Sequence, residues 1–233
     1  MLSAYGVYNA VRAAFGGTLE EGRRNAATVV ALERRLGIDV EERWQNAFER
    51  RRLGMPAWGA MYLVSQVVAL PLSIFLVHRR RRDAYPFMRN FALLSWCAGL
   101  VWYALHPVAP PRLMEHGARD TVSRDTPVDL DSRTIRAFYN PVAAMPSLHV
   151  GMAPIVAGAL ALAAPRRVAP AVLVVYPVAV TISVIVTGNH YVLDVVGGLA
   201  VAAPAAVVAA VLTWEDLASA RRDLSPGPLR PAG

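Results

Sequence analysis

The chain has 233 residues, 55% of them hydrophobic, and its long apolar runs alternate with short arginine clusters. A soluble core would not need such runs, so the composition indicates one membrane domain and excludes a pair of soluble ones. The net charge is +7, but the arginines flank the apolar runs without interleaved aromatic residues, so we expect contact with anionic lipid headgroups and no nucleic-acid partner.

Residues 1–56 form an N-terminal segment that precedes the first long apolar run. Its start is no convincing signal peptide, because Arg12 interrupts a short apolar stretch. Residues 18–52 mix apolar positions with dense charge, which is typical of one or two amphipathic helices lying in the membrane interface. A solvated helical extension fits the same pattern, so the sequence leaves both interpretations open.

Apolar runs of about 20 residues follow, the length with which an α-helix crosses about 30 Å of hydrocarbon. They cover five stretches, residues 57–77, 87–105, 148–164, 168–187 and 191–213. Helices are the only open structures that span a bilayer, so these runs predict an all-α polytopic membrane helix bundle of five transmembrane helices. The membrane domain is expected over residues 57–213, and residues 214–233 form a polar tail.

The arginine clusters predict how the bundle is oriented. With five spans, the clusters at 79–82, 166–167 and 221–222 fall on one side, which the positive-inside rule assigns to the cytoplasm. The three arginines at 50–52 lie on the opposite side and count against this assignment.

The long polar loop of residues 106–141 connects the second and third spans and contains Arg112 in the stretch "APPRL". The prolines stiffen the backbone there, and the fork of a guanidinium group suits two oxygens of one phosphate. An interface arginine that only reaches lipid headgroups fits the same position.

Three ionisable residues are expected at the same end of the bundle as this loop. His149 lies at the start of the third span, and His190 lies at the junction of the fourth and fifth. Asp194 follows His190 by four residues, which on a helix puts both side chains on one face, where a carboxylate can hold an imidazole and fix its tautomer. Ionisable groups at membrane depth are expensive and usually functional.

The start of the third span is a candidate anion site. Pro146 fits the first helical position, and the backbone N–H groups near Ser147 and Leu148 would point unsatisfied toward the loop. Ser147 would then contribute its hydroxyl to a bound phosphate, although a helix cap alone also explains a serine there.

These stretches carry a resemblance to a known family. "PVAPPRL", "AAMPSLH" and "GNHYVLDVVGG" resemble motifs of the membrane type 2 phosphatidic acid phosphatase superfamily, and most closely its branch of fungal inositol phosphorylceramide synthase and similar inositolphosphotransferases. The family pattern is Lys-x6-Arg-Pro, Pro-Ser-Gly-His and Ser-Arg-x5-His-x3-Asp. Here Leu148 replaces the glycine and Val184 replaces the arginine of the third motif, while the first motif is recognisable only as Arg112.

The resemblance implies an integral membrane lipid phosphoesterase with His190 as nucleophile, Asp194 as its orienting partner and His149 as general acid. Arg112, Ser147 and the amide of Leu148 would bind the phosphate, and no metal or other cofactor is implied. The expected partners are the bilayer and a phosphorylated lipid, whose headgroup is either hydrolysed or passed to another alcohol. We expect a bacterial plasma membrane location with the active site on the extracytoplasmic face.

Two other classes of function stay open from the sequence. His149, His190 and Asp194 could bind zinc in a metal-dependent hydrolase. The same histidines could instead line the proton or lipid path of a transporter without enzymatic activity.

Overall fold

A computed structural model describes residues 17–115, 117–138 and 140–214. The described chain is helical, as predicted. The long helices are α1 (Leu19–Leu36), α2 (Glu41–Arg50), α3 (Met55–Arg80), α4 (Tyr85–Leu105), α7 (Leu148–Ala163), α8 (Ala169–Val186) and α9 (Val192–Leu212). The loop between α4 and α7 holds a 3₁₀ turn (Pro111–Leu113) and two short helices, α5 (Thr121–Asp125) and α6 (Arg133–Phe138). Residues 1–16, which contain the stretch judged for a signal peptide, and residues 215–233 of the predicted tail lie outside the described residues.

Each of the five predicted spans coincides with a helix to within a few residues. By length and composition, α3, α8 and α9 are suited to cross a membrane, and α7 is a shorter apolar helix of 16 residues. These findings confirm a helical membrane bundle, while the count of five spans stays a prediction. Helix α3 is continuous but contains a π-helical segment at Ser65–Ala69, so its helical geometry changes near mid-length.

Helices α7 and α9 cross at close range because glycines stand at the contact. A Cβ atom built on Gly151 would lie 2.9 Å from the carbonyl oxygen of Gly198, and one built on Gly198 would lie 2.3 Å from the carbonyl oxygen of Ser147. Any larger residue at Gly198 must therefore push the two backbones apart. This crossing fixes the start of α7 against the first turns of α9.

Helix α1 has a clear signal at each end. The side chain of Thr18 accepts a hydrogen bond of 3.1 Å from the N–H of Glu21, which satisfies one amide of the first turn. At the other end Gly37 adopts φ 69°, the left-handed conformation that favours glycine, and its N–H donates to the carbonyl of Arg34.

The N-terminal helices pack over the end of the bundle where the long loop lies. In α1 the carbonyl of Gly22 accepts a hydrogen bond from the N–H of Ala109, and the Asn25 amide donates to the carbonyl of Pro107. In α2 the fully buried Gln45 donates to the carbonyls of Arg119 and Val186. Three parts of the chain that are distant in sequence therefore meet at this end.

Candidate active site

His190 and Asp194 meet as predicted, but not on the face of one helix, because His190 precedes Tyr191, the N-cap of α9, while Asp194 is in its first turn. Nδ1 of His190 lies 3.3 Å from Oδ2 of Asp194 and 2.8 Å from the carbonyl oxygen of Ala144, and both acceptors are buried. An Nδ1–H donated to these two acceptors leaves the lone pair on Nε2. Oδ2 of Asp194 also accepts a 2.9 Å hydrogen bond from the N–H of Tyr191, so one carboxylate both orients the imidazole and caps its own helix.

The Ala144 carbonyl is held by pairing between the two ends of the long loop. Val108 and Ala143 form an isolated parallel bridge, in which the N–H of Val108 donates to Val142 and the N–H of Ala144 donates back to Val108. The stretches "PVAPPRL" and "AAMPSLH" are thereby tied together directly beside His190. Sequence reasoning missed Ala144, because a backbone carbonyl leaves no signature in side-chain identity.

His149 lies beside His190 as expected from the number of spans between them. The two imidazole rings have centroids 5.6 Å apart and meet at 62°, edge toward face. On its other side His149 stacks on Tyr62 of α3, with centroids 4.4 Å apart and 19° between the planes. The aromatic stack fixes the plane of the His149 ring, and nothing in the sequence pointed to Tyr62.

Ser147, and not Pro146, marks the start of α7. The prediction of Pro146 at the first helical position is wrong, because Ser147 has extended backbone angles (φ −71°, ψ 99°) and is itself the N-cap, so that the helix begins at Leu148. The hydroxyl of Ser147 makes no capping hydrogen bond. This oxygen is buried and has no hydrogen-bond partner among the residues that the structure describes.

Leu148 divides its backbone and its side chain between two environments. Its amide stands at the first helical position, where the helix itself offers no acceptor. Its side chain is buried against α4, where a Cβ atom on Gly99 would lie 2.8 Å from a Leu148 methyl group. The Leu148 side chain therefore packs between helices, while its backbone N–H is left for an acceptor outside the helix.

Arg112 reaches the turn that precedes His190. Its side chain is fully buried, and Nε donates to Oδ1 of Asn189 at 3.0 Å. Nη1 lies 3.2 Å from Oδ2 of Asp120 and 3.5 Å from Oδ1 of Asp131. The guanidinium thus contacts the residue that precedes His190, and it is already paired with the carboxylates of Asp120 and Asp131.

Val184 stands where the third motif of the family pattern has an arginine, and the structure shows how this position is used. Ser183 is buried and its hydroxyl donates to the carbonyl of Trp58 at 2.9 Å, while Val184 is fully buried in an apolar cluster. An arginine at position 184 would enter that cluster, so the chain uses the position for packing between helices. Arg112 instead reaches this end of the bundle from the long loop and contacts Asn189, the residue before His190.

Glu33 and Glu41 of the N-terminal helices also reach this end of the bundle, where they accept hydrogen bonds from the first amides of α9. Their only sequence signal is that they belong to a charged amphipathic segment, which does not show where that segment packs. In the described part of the chain, no three or more His, Cys, Asp or Glu side chains are arranged to hold a metal ion.

Comparison with known proteins identifies the family. A family model described as the PAP2 superfamily, the type 2 phosphatidic acid phosphatases, matches residues 27–208. No curated protein and no solved structure matches the chain. The match covers most of the chain, includes all three motif regions and begins inside α1. The chain therefore belongs to the PAP2 superfamily, and with its apolar helices it is a membrane protein of the phosphatase type that acts on phosphate esters of lipids.

Proposed function

We propose that the protein is a lipid phosphoesterase that works through a phosphohistidine at His190, and that His149 is its general acid. The observation that carries this proposal is the arrangement of the two imidazoles. Both hydrogen bonds of His190 are made at Nδ1, and the ring of His149 lies 5.6 Å away between centroids. A nucleophile held by a carboxylate with a second acid–base group beside it is the arrangement that stepwise phosphoryl transfer requires.

In the first step Nε2 of His190 attacks phosphorus, and the bond between phosphorus and the leaving oxygen breaks. His149 gives its proton to that oxygen, so that the alcohol leaves neutral. The Nδ1–H of His190 stays with Asp194 and Ala144, whose oxygens stabilise the positive charge that the ring acquires. In the second step His149 removes a proton from the acceptor, which attacks phosphorus and releases His190.

Charge on the phosphoryl oxygens needs preorganised donors, which supply the larger share of such catalysis. We place Ser147 and the amide of Leu148 in this role, because the hydroxyl is buried without a partner in the described part of the chain and the amide has no acceptor within its helix. Arg112 supplies the positive charge, and its 3.5 Å contact with Asp131 is the pairing that a phosphate replaces most easily.

Substrate and acceptor together decide between two outcomes of attack by His190. A lipid phosphate loses its lipid alcohol and leaves a phosphoryl group on His190, which water hydrolyses. A lipid with a headgroup such as phosphoinositol loses its lipid alcohol and leaves the phosphorylated headgroup on His190, from which a second lipid alcohol takes it. The departures Leu148 and Val184 from the phosphatase pattern resemble the inositolphosphotransferase branch and favour transfer, while water is always available to compete. We propose both hydrolysis and headgroup transfer for this active site.

We place the protein in a bacterial plasma membrane with its active site on the extracytoplasmic face. The cluster at 79–82 spans the C-terminal end of α3 and the cluster at 166–167 follows α7, so both lie at the end of the bundle opposite His190. The positive-inside rule assigns that end to the cytoplasm.

The test uses purified protein in detergent with a chelator, and a panel of phosphate-labelled lipids with and without myo-inositol or diacylglycerol. Free phosphate from the wild type means hydrolysis, and label on the added alcohol means transfer. We expect His190→Ala to abolish either product and His78→Ala to leave it unchanged, since His78 is an exposed histidine at the opposite end of α3. Turnover that survives in folded His190→Ala would refute the phosphohistidine route, and loss of wild-type turnover in chelator would favour the zinc alternative.

A further inference from the structure

Two glutamates from the N-terminal segment hold the start of the helix that carries Asp194. Oε1 of Glu41 accepts a hydrogen bond of 2.9 Å from the N–H of Val192, and Oε1 of Glu33 accepts one of 2.7 Å from the N–H of Leu193. These are the first two amides of α9, which have no acceptor within the helix. Carboxylates at a helix N-terminus also interact favourably with the helix dipole.

The contacts lie inside the protein. Glu33 is 1% exposed and Glu41 is 7% exposed, although both belong to helices with strongly charged outer faces. Buried carboxyl groups are retained only where they have partners, since an unpaired one costs several kcal/mol. Burial, with the neighbouring carboxyl group of Glu41, raises the pKa of Glu33 to about 8, so Glu33 keeps its proton at neutral pH.

The same segment is anchored on the other flank of the site. Gln45 of α2 donates to the carbonyl of Val186, the last residue of α8, and its Oε1 accepts the N–H of Arg119. Glu41 and Gln45 are one helical turn apart, so α2 contacts both helices that border His190. A segment that served only to coat the membrane surface would need neither contact.

We infer that Glu33 and Glu41 are positioning residues for the reaction: they fix the first turn of α9 and thereby hold His190 and Asp194 in the geometry for attack. This inference rests on the proposed function of His190. Asp194 caps the helix from within, through the N–H of Tyr191, and the two glutamates satisfy the next two amides in sequence. Three consecutive amides are thus held by three carboxyl groups.

Hydrogen–deuterium exchange of the full chain in detergent tests the contact without relying on activity. We expect the amide of Leu193 in Glu33→Ala, and the amide of Val192 in Glu41→Ala, to exchange at least about tenfold faster than in the wild type, because an open amide loses its protection. Glu33→Gln should stay close to the wild type, since its amide oxygen still accepts from Leu193 and glutamine is neutral like the protonated carboxyl group. Glu42→Ala is the matched control, because this neighbouring carboxylate of α2 is exposed.

Turnover of the same variants tests whether the contact positions the catalytic groups. A displacement of the reacting atoms by about 1 Å costs roughly a hundredfold in rate, so we expect kcat of Glu33→Ala to fall about ten- to a hundredfold with KM within about twofold. Glu33→Gln should restore kcat, and Glu42→Ala should not change it. A smaller folded fraction would also lower the apparent kcat at an unchanged KM, so kcat is calculated per mole of folded enzyme, which the exchange of the other buried amides measures.

The outcomes separate the two ideas. Unchanged exchange in Glu33→Ala, or faster exchange with unchanged turnover, would overturn the positioning role while the proposed function stands. Absence of any difference between the wild type and His190→Ala would overturn the proposed function and this inference with it. Faster exchange together with a selective loss of kcat and rescue by glutamine supports the positioning role of Glu33, and faster exchange at Val192 in Glu41→Ala extends the contact to Glu41.

Discussion

The N–H of Ser147 donates a hydrogen bond of 2.9 Å to the backbone carbonyl of Asp194. This bond joins the second motif to the third through the main chain, so the hydroxyl proposed to bind phosphate and the carboxylate that holds His190 cannot move independently. The close crossing at Gly198 lies one turn further along α9 and keeps the bond at this length. The glycine pair of "DVVGG" therefore belongs to the architecture of the site.

Gly198→Ala should inactivate the protein with only a moderate loss of stability. The added methyl group would stand 2.3 Å from the carbonyl oxygen of Ser147 and must push α7 away from α9. Overpacking of this kind costs about 1–3 kcal/mol. Thermal unfolding in detergent measures the stability, and labelled-lipid turnover measures the activity. Gly158→Ala is the control, because its new Cβ would meet only the flexible end of Met88, at 3.0 Å.

Asp194→Asn should reduce kcat by at least about a hundredfold while the helix start stays intact. Asparagine still accepts the N–H of Tyr191 and remains a good cap, but it has no charge with which to stabilise a cationic His190. Asp194→Ala should lose the same activity and an additional 0.5–2 kcal/mol or so of stability. Equal turnover by the asparagine variant and the wild type would remove Asp194 from the mechanism.

Arg112 and Asp131 provide a test of the phosphate site through substrate affinity. Arg112→Lys keeps the charge but loses the fork that donates to Asn189 and Asp120, so we expect a higher KM. Asp131→Asn removes the distant competitor for Nη1, so KM for the lipid phosphate should fall. Steady-state kinetics at low salt measure both changes. If the two variants shift KM in the same direction, Arg112 does not bind the phosphate.

The sequence predicts those parts of the site that side chains on one element define. The spacing of four residues brings Asp194, in the first turn of α9, to His190 just before that helix, and the number of spans brings His149 to the same end, so local spacing and hydropathy suffice for these three residues. The Ala144 carbonyl, Tyr62 and the pair Glu33 and Glu41 come from elsewhere in the chain. Their contacts depend on tertiary packing and on backbone atoms, which no local pattern encodes.

The same distinction explains the N-terminal segment. Its alternation of charged and apolar residues predicts helices, and helices α1 and α2 are present. The pattern treats Glu33 and Gln45 as surface residues, whereas the fold buries both of them at the active end. A polar residue is buried only where it finds a specific hydrogen-bond partner, and that partner can be identified only in the folded protein.

Replacement of Glu33 should change how stability depends on pH. Burial raises the pKa of Glu33 to about 8 from 4.5, and the carboxyl groups of Glu41 and Asp194 act in the same direction. The folded state therefore keeps a proton that the unfolded chain releases above about pH 4.5, so the stability contributed by this group falls as the pH rises toward 8. Glu33→Gln removes the titration, and its stability relative to the wild type should increase between pH 5 and 8. Unfolding midpoints across this range would show parallel curves if Glu33 did not titrate there.

His149→Ala should separate the role of the general acid from that of the nucleophile. An alkyl leaving group needs a proton, and its loss should cost about 10²–10⁴-fold in kcat on a lipid phosphate. A nitrophenolate leaves readily without one, so turnover of p-nitrophenyl phosphate should fall by less than about tenfold when formation of the phosphohistidine is measured as a burst. His190→Ala should abolish turnover of both substrates. Equal losses on both substrates in His149→Ala would instead mean that His149 supports His190 by packing between it and Tyr62, since only a proton donor distinguishes leaving groups by their basicity.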